Sequence, residues 1–188
     1  MFLSQKSFTI FLYHKMLLFW RCLLWNLQTQ KLIATLTGHP NWVNSVAISA
    51  DGKTLASASA DNTIKLWDLQ TQKQIKTLTG YSNSVYSVAW SPDSKILASA
   101  SADNTIKLWN LQTQKEFPTL TGHSDSVYSV AFSPDDKTLA SASADKTIML
   151  WKFDFDNLLK HGCDWVRPYL QNNPNVSDSD RHLCDGIP

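Results

Sequence analysis

Cysteine, surplus charge and long uncharged apolar runs are all scarce in this 188-residue chain. The three cysteines, Cys22, Cys163 and Cys184, are odd in number and far apart. They exclude a disulfide framework and point to a reducing, cytoplasmic setting. Lys and Arg total 17 against 16 Asp and Glu, a net charge of +1. That balance leaves no basic stripe for nucleic acid. The amino end is apolar from Phe8 to Leu24 but is broken by His14, Lys15 and Arg21. No uncharged stretch approaches the roughly 20 residues that a membrane helix needs, so no membrane partner is expected. A basic start with a clean apolar stretch and a small-residue cleavage site is also missing, as is a phosphate-binding loop of the G-x-x-x-x-G-K-[ST] type.

What the chain does have is a phrase said three times. Leu66-Trp67-Asp68-Leu69-Gln70-Thr71-Gln72-Lys73 recurs, with Asn in place of Asp, as Leu108–Lys115 and as Leu24–Lys31. Trp25, Trp67, Trp109 and Trp151 stand 42 residues apart. A fixed period of this length means a repeat architecture.

Each unit holds four short runs rich in β-branched and aromatic residues. In the second they are 84–90, 96–100, 105–111 and 116–120. The loops Ser49-Ala50-Asp51-Gly52-Lys53, Ser91-Pro92-Asp93-Ser94-Lys95 and Ser133-Pro134-Asp135-Asp136-Lys137 are hairpin turns, since Pro presets φ and Asp caps with its side chain. Four antiparallel strands per unit, repeated, predict an all-β chain of propeller blades. Units start near Gly38, Gly80 and Gly122 and give three full blades, too few to close a ring. The small-residue run Leu97-Ala98-Ser99-Ala100-Ser101 lets neighbouring sheets approach. Val85, Val88, Ile106 and Leu108 fill the space between them.

The ends depart from the pattern. Residues 1–23 read as a damaged or truncated repeat, with a hydrophobic leader as the alternative. Residues 24–154 form the array. Residues 155–188 form a helical and irregular tail, with Leu158, Leu159, Gly162, Cys163, Val166, Tyr169 and Leu170 on one helical stripe and Pro168 as a kink.

These residues resemble the WD-repeat family. Gly38-His39, Gly122-His123, Trp67-Asp68, the hairpin loops and the turn aspartates carry the resemblance. The tail is similar to the closing segment of large bacterial WD-repeat proteins whose array follows a signalling or nucleotide-hydrolysing domain. The resemblance implies a buried polar network in each blade: His39, Ser57, Asp61 and Trp67 in the first unit, and His123, Ser141, Asp145 and Trp151 in the third. The second keeps Ser99, Asp103 and Trp109 but has Tyr81 for the histidine, and is expected to be remodelled and least rigid. Because the Ser/His/Asp set recurs, it reads as structural instead of catalytic. The chain is not expected to be an enzyme and needs no cofactor.

The resemblance also implies that partner proteins bind where Trp42, Asn44, Ser84, Tyr86, Ser126 and Tyr128 fall, beside Ala60, Ala102 and Ala144. Aromatics dominate binding hot spots. The tail pairs His161–Cys163 and His182–Cys184 are weak zinc candidates, because His-x-Cys is not a standard finger spacing. The expected function is a non-catalytic protein-interaction scaffold. The alternative is a remnant of a larger signalling or nucleotide-hydrolysing protein. In either case open blade faces invite self-association.

Overall fold

The computed structural model describes residues 8–12, 22–26, 28–113, 115–153, 168–171 and 177. It divides into two units, Met1–Trp151 and Lys152–Pro188. The described residues of the first unit form four antiparallel sheets and no helix.

The first sheet comprises β1 (Phe8–Leu12), β2 (Cys22–Asn26) and β3 (Lys31–Leu36), in that order. The second is β4 (Val43–Ile48), β5 (Thr54–Ser59), β6 (Ile64–Asp68) and β7 (Gln74–Leu78). The third is β8 (Val85–Trp90), β9 (Ile96–Ser101), β10 (Ile106–Asn110) and β11 (Lys115–Glu116). The fourth is β12 (Val127–Phe132), β13 (Thr138–Ser143) and β14 (Ile148–Lys152). The sheets are blades that do not close into a ring. The first strands β4, β8 and β12 pack beside one another in succession, so the blades share one inner edge.

Local chemistry sets each meander. In the β4–β5 hairpin the Ser49 hydroxyl donates to Asp51 Oδ1 at 2.6 Å, and the Lys53 amide donates to the same oxygen at 3.0 Å. Ser91–Asp93 and Ser133–Asp135 repeat the pattern at 2.7 and 2.5 Å. A left-handed residue completes each loop: Gly52, Ser94 and Asp136 have φ of 71°, 61° and 63°. The next turn does the same with Asn62, Asn104 and Lys146. The small-residue strands β5 and β9 are buried from Leu55 to Ser59 and from Leu97 to Ser101. Without large side chains, neighbouring sheets reach them on both faces.

Two core clusters lie between the sheets. Cys22, Leu24 and Leu36 of the first sheet meet Val46, Leu55 and Trp67 of the second. Ala47, Ala56, Ala58, Ile64, Leu66 and Leu78 of the second meet Val85, Val88 and Leu97 of the third, with Tyr81. Each fully buried Val, Leu or Ile contributes on the order of 2 kcal/mol.

Two expectations are corrected. Among the described residues only two sheets have four strands, not three, and the unit beginning near Gly122 forms a three-stranded sheet. Upstream, β1 pairs with β2 in register from Phe8↔Asn26 to Leu12↔Cys22, so a strand of the first sheet falls within residues 1–23. The expected strand 116–120 shrinks to Lys115–Glu116 and an isolated bridge between Ile106 and Leu120. Pro118 has no N–H to give, and the Phe117 amide alone reaches the Leu108 carbonyl, at 2.9 Å. In the tail, the described helix is one turn, residues 168–171. The run that Pro168 was expected to kink lies, before residue 168, outside the described residues. The remaining stripe residues except Tyr169 and Leu170 lie outside the described residues.

Candidate interaction site

The network of the second sheet shows what its polar residues do. Gly38-His39 leads into β4, Ser57 lies on β5, Asp61 in the β5–β6 turn and Trp67 on β6. The Trp67 indole N–H donates to Ser57 Oγ at 2.8 Å. The Ser57 hydroxyl lies 2.8 Å from His39 Nε2, and His39 Nδ1 is 2.7 Å from Asp61 Oδ2. A carboxylate only accepts, so Nδ1 carries the proton and Nε2 accepts from Ser57. The Thr63 amide and hydroxyl close the chain on Asp61 Oδ1 at 3.0 and 2.6 Å. The relay therefore runs from the Trp67 indole through Ser57 and His39 to the Asp61 carboxylate, with Ser57 Oγ also 3.3 Å from the Lys65 carbonyl.

Charge follows from this arrangement. Burial pushes the His39 ring below its ordinary value, more strongly than the Asp61 contact raises it. Burial alone would raise Asp61, but the bonds from Thr63 and His39 outweigh it and hold the carboxyl low. The pair is neutral histidine against carboxylate. Ser57 is buried and already engaged by Trp67 and His39. A nucleophile needs an exposed hydroxyl beside an oxyanion site, and this hydroxyl has neither exposure nor a spare lone pair aimed outward.

The fourth sheet repeats the relay. Trp151 Nε1 donates to Ser141 Oγ at 2.9 Å, His123 Nε2 lies 2.8 Å from Ser141 Oγ, and His123 Nδ1 lies 2.8 Å from Asp145 Oδ2. Hydrogen bonds from Thr147 come first among the causes that hold Asp145 well below the usual carboxylate range.

The third sheet is built differently. Tyr81 is buried and its hydroxyl stands between the other two groups: Trp109 Nε1 donates to Tyr81 Oη at 2.9 Å, and Tyr81 Oη lies 2.6 Å from Ser99 Oγ. Ser99 in turn donates to the Lys107 carbonyl at 3.1 Å. The relay ends on backbone. Asp103 is held separately by the Ser82 amide at 3.1 Å and by Thr105. The thread absent from the sequence reading is the threonine two residues after each turn aspartate, Thr63, Thr105 and Thr147. The recurring Asp-x-Thr phrase was its signal.

The expected contact residues gather where the inner strands begin. Trp42 directly precedes β4, while Tyr86 and Tyr128 are the second residues of β8 and β12. Trp42 is 48% exposed and Tyr128 55%. The Tyr86 and Tyr128 rings meet across two blades at a centroid distance of 5.3 Å and an angle of 47°. The polar members are engaged within the fold. Asn44 Nδ2 donates to the Val85 carbonyl of the next blade at 2.9 Å. The Ser84 carbonyl receives the Ala102 amide at 2.8 Å, and the Ser126 hydroxyl donates to the Ala102 carbonyl at 3.4 Å. Ala60, Ala102 and Ala144 are half-buried beside them. Asn44, Ser84 and Ser126 thus join turn to strand or blade to blade, and the aromatics form the accessible part.

A family model described as the WDR19 first beta-propeller matches residues 22–168, well over half of the chain. The chain belongs to the WD-repeat β-propeller family. Propellers of this family generally serve as non-enzymatic platforms. Similar curated proteins match over short stretches. Ribosome assembly protein 4 of Saccharomyces cerevisiae is 57% identical over 44 residues, covering 23% of this chain and 8% of that protein. Periodic tryptophan protein 2 homolog of Schizosaccharomyces pombe is 36% identical over 63 residues, covering 34% and 6%. Apoptotic protease-activating factor 1 of Danio rerio is 46% identical over 43 residues, covering 23% and 3%. The matches span less than a tenth of each relative, and two are about one repeat long.

Among the described residues of this WD-repeat propeller, no group of three or more His, Cys, Asp or Glu gathers to hold a metal. The zinc candidates His161, Cys163, His182 and Cys184 lie outside the described residues. No described helix is long and apolar enough to cross a membrane.

Proposed function

We propose that the chain is a non-catalytic platform that binds other proteins through the end of its blades bearing Trp42, Tyr86 and Tyr128. The observation that carries this reading is the Tyr86–Tyr128 pair, two rings 5.3 Å apart from neighbouring blades. Aromatic rings on rigid strands lose little entropy on binding and supply most of the energy in protein interfaces. Asn44, Ser84 and Ser126 hold that rim in shape. The engaged, buried Ser57 and Ser141 argue against hydrolytic chemistry. A reducing cytoplasm suits Cys22, a buried thiol that burial pushes up to about 12.

The test is affinity capture with the whole chain, comparing wild type with Tyr86→Ala/Tyr128→Ala. Loss of specific partners with unchanged circular dichroism supports the reading. An identical partner set in both captures overturns it.

A further inference from the structure

Repetition supplies an internal control for exposure, because each position recurs in an equivalent strand. Ile64 and Ile106 are 0% and 1% exposed, and Leu66 and Leu108 are 4% each. Their equivalents 42 residues after the second pair, Ile148 and Leu150, are 73% and 66% exposed. Residue type and strand position match, so the difference lies in what covers them. Val85, Val88 and Leu97 of the following sheet cover Ile64 and Leu66. Val127, Val130 and Leu139, the matching set on the fourth sheet, are themselves buried. Small residues tell the same story: Ala98 and Ala100 are buried, whereas Ala140 and Ala142 are only half-buried.

A polar contact marks the same junctions. The Val88 amide donates to Ser45 Oγ at 3.4 Å, and the Val130 amide donates to Ser87 Oγ at 3.5 Å. The serine of each blade meets the valine amide of the next. The third serine in the series, Ser129, is exposed and has no such partner among the described residues. Apolar pair, alanines and serine together outline a complete blade-to-blade surface on the outer side of β12–β14.

We propose that this surface docks a second copy of the chain, head to tail, against the side of its β1–β3 sheet that faces away from β4–β7. The occupant follows from continuity with the junctions inside the chain. Successive sheets of one repeat already pack in this way twice in succession, and β1–β3 and β12–β14 are the opposite ends of that series. Among the described residues each copy holds four sheets, so two copies joined in this way bring together eight. A closed propeller has about four to eight blades, and eight is within that range. Tyr128 borders this surface, since its equivalents Asn44 and Tyr86 each touch the following blade, and closure through two identical junctions stops open polymerisation.

Sedimentation equilibrium of the full chain tests it, with Ile148→Lys/Leu150→Lys and, separately, Ser129→Arg. These positions are exposed in the single chain, so far-ultraviolet circular dichroism should not change. The expected result is a wild-type mass twice the chain's 21.2 kDa and a single-chain mass for both variants. A wild-type monomer overturns the proposal, whether hydrogen exchange finds β14 protected by another part of the chain or open for a different protein. A dimer that survives both variants also overturns it, since another surface then joins the copies. Masses that keep growing with concentration overturn closure by two copies.

Discussion

The Tyr81 hydroxyl lies 2.6 Å from the Ser99 hydroxyl and receives the Trp109 indole N–H at 2.9 Å. One phenol thus fills the space that an imidazole occupies in the neighbouring blades, but it hydrogen-bonds a serine and no carboxylate. Tyr81→Phe keeps the ring and removes the bridge. It leaves the Trp109 N–H without an acceptor, at a cost of about 1–3 kcal/mol for a buried unsatisfied group. Urea unfolding of the variant measures this. A loss within error of zero would show that the bridge adds nothing.

Acid should weaken the second blade through His39. Burial, opposed by Asp61, holds the His39 ring below its ordinary value of 6.5. The unfolded chain therefore takes up this proton at higher pH than the fold does. Stability is complete above 6.5 and falls as pH drops below it. Asp61, held low despite its burial, adds a second loss of the same sign below the ordinary carboxylate range. Unfolding free energy measured from pH 7.5 to 5 should decline, and His39→Gln should have a lower starting value and a shallower slope. Parallel slopes would contradict the assignment.

Gly38 and Gly80 occupy equivalent positions for different reasons. A Cβ on Gly38 would stand 3.0 Å from Trp67 Cη2, and the indole is fixed by its bond to Ser57. Gly80 has φ of +105° and only Lys107 Nζ nearby, at 3.8 Å. Both alanine variants should lose about 1–2 kcal/mol, one by overpacking and one by backbone strain. Only Gly38→Ala should move the Trp67 indole N–H resonance in the NMR spectrum.

Asp136→Gly should stabilise the fourth sheet. Asp136 has φ of 63° where the matching residue of the second sheet is Gly52 at 71°. Relief of that backbone conformation is worth about 1 kcal/mol. Burial and then the Asp93 carboxylate also raise Asp136 above its ordinary value. A raised carboxyl disfavours the fold once it ionises, so the gain should be larger at pH 7 than at pH 3. Thermal unfolding at the two pH values checks both magnitude and sign.

Much of the fold was legible because repetition multiplies weak signals. One Ser-Pro-Asp loop says little, but three related loops at a fixed interval define hairpins. The same holds for the residues of the polar relay. Less legible was anything that depended on one departure from the pattern. Pro118 shortens the fourth strand of its blade because a missing N–H matters only once its neighbour strand is known. The carbonyl that Asn44 reaches belongs to Val85 in another blade, a pairing that no single unit of the sequence shows.

The chain by itself determined the period, the strand–turn grammar and which side chains enter each relay, since all three arise from interactions within about one unit. Whether a given face is core or surface was decided only in three dimensions. Ile106-Lys107-Leu108-Trp109 and Ile148-Met149-Leu150-Trp151 are nearly the same words. The first pair of aliphatic side chains is buried and the second is exposed. Burial belongs to the neighbour that arrives, and no residue encodes its own neighbour.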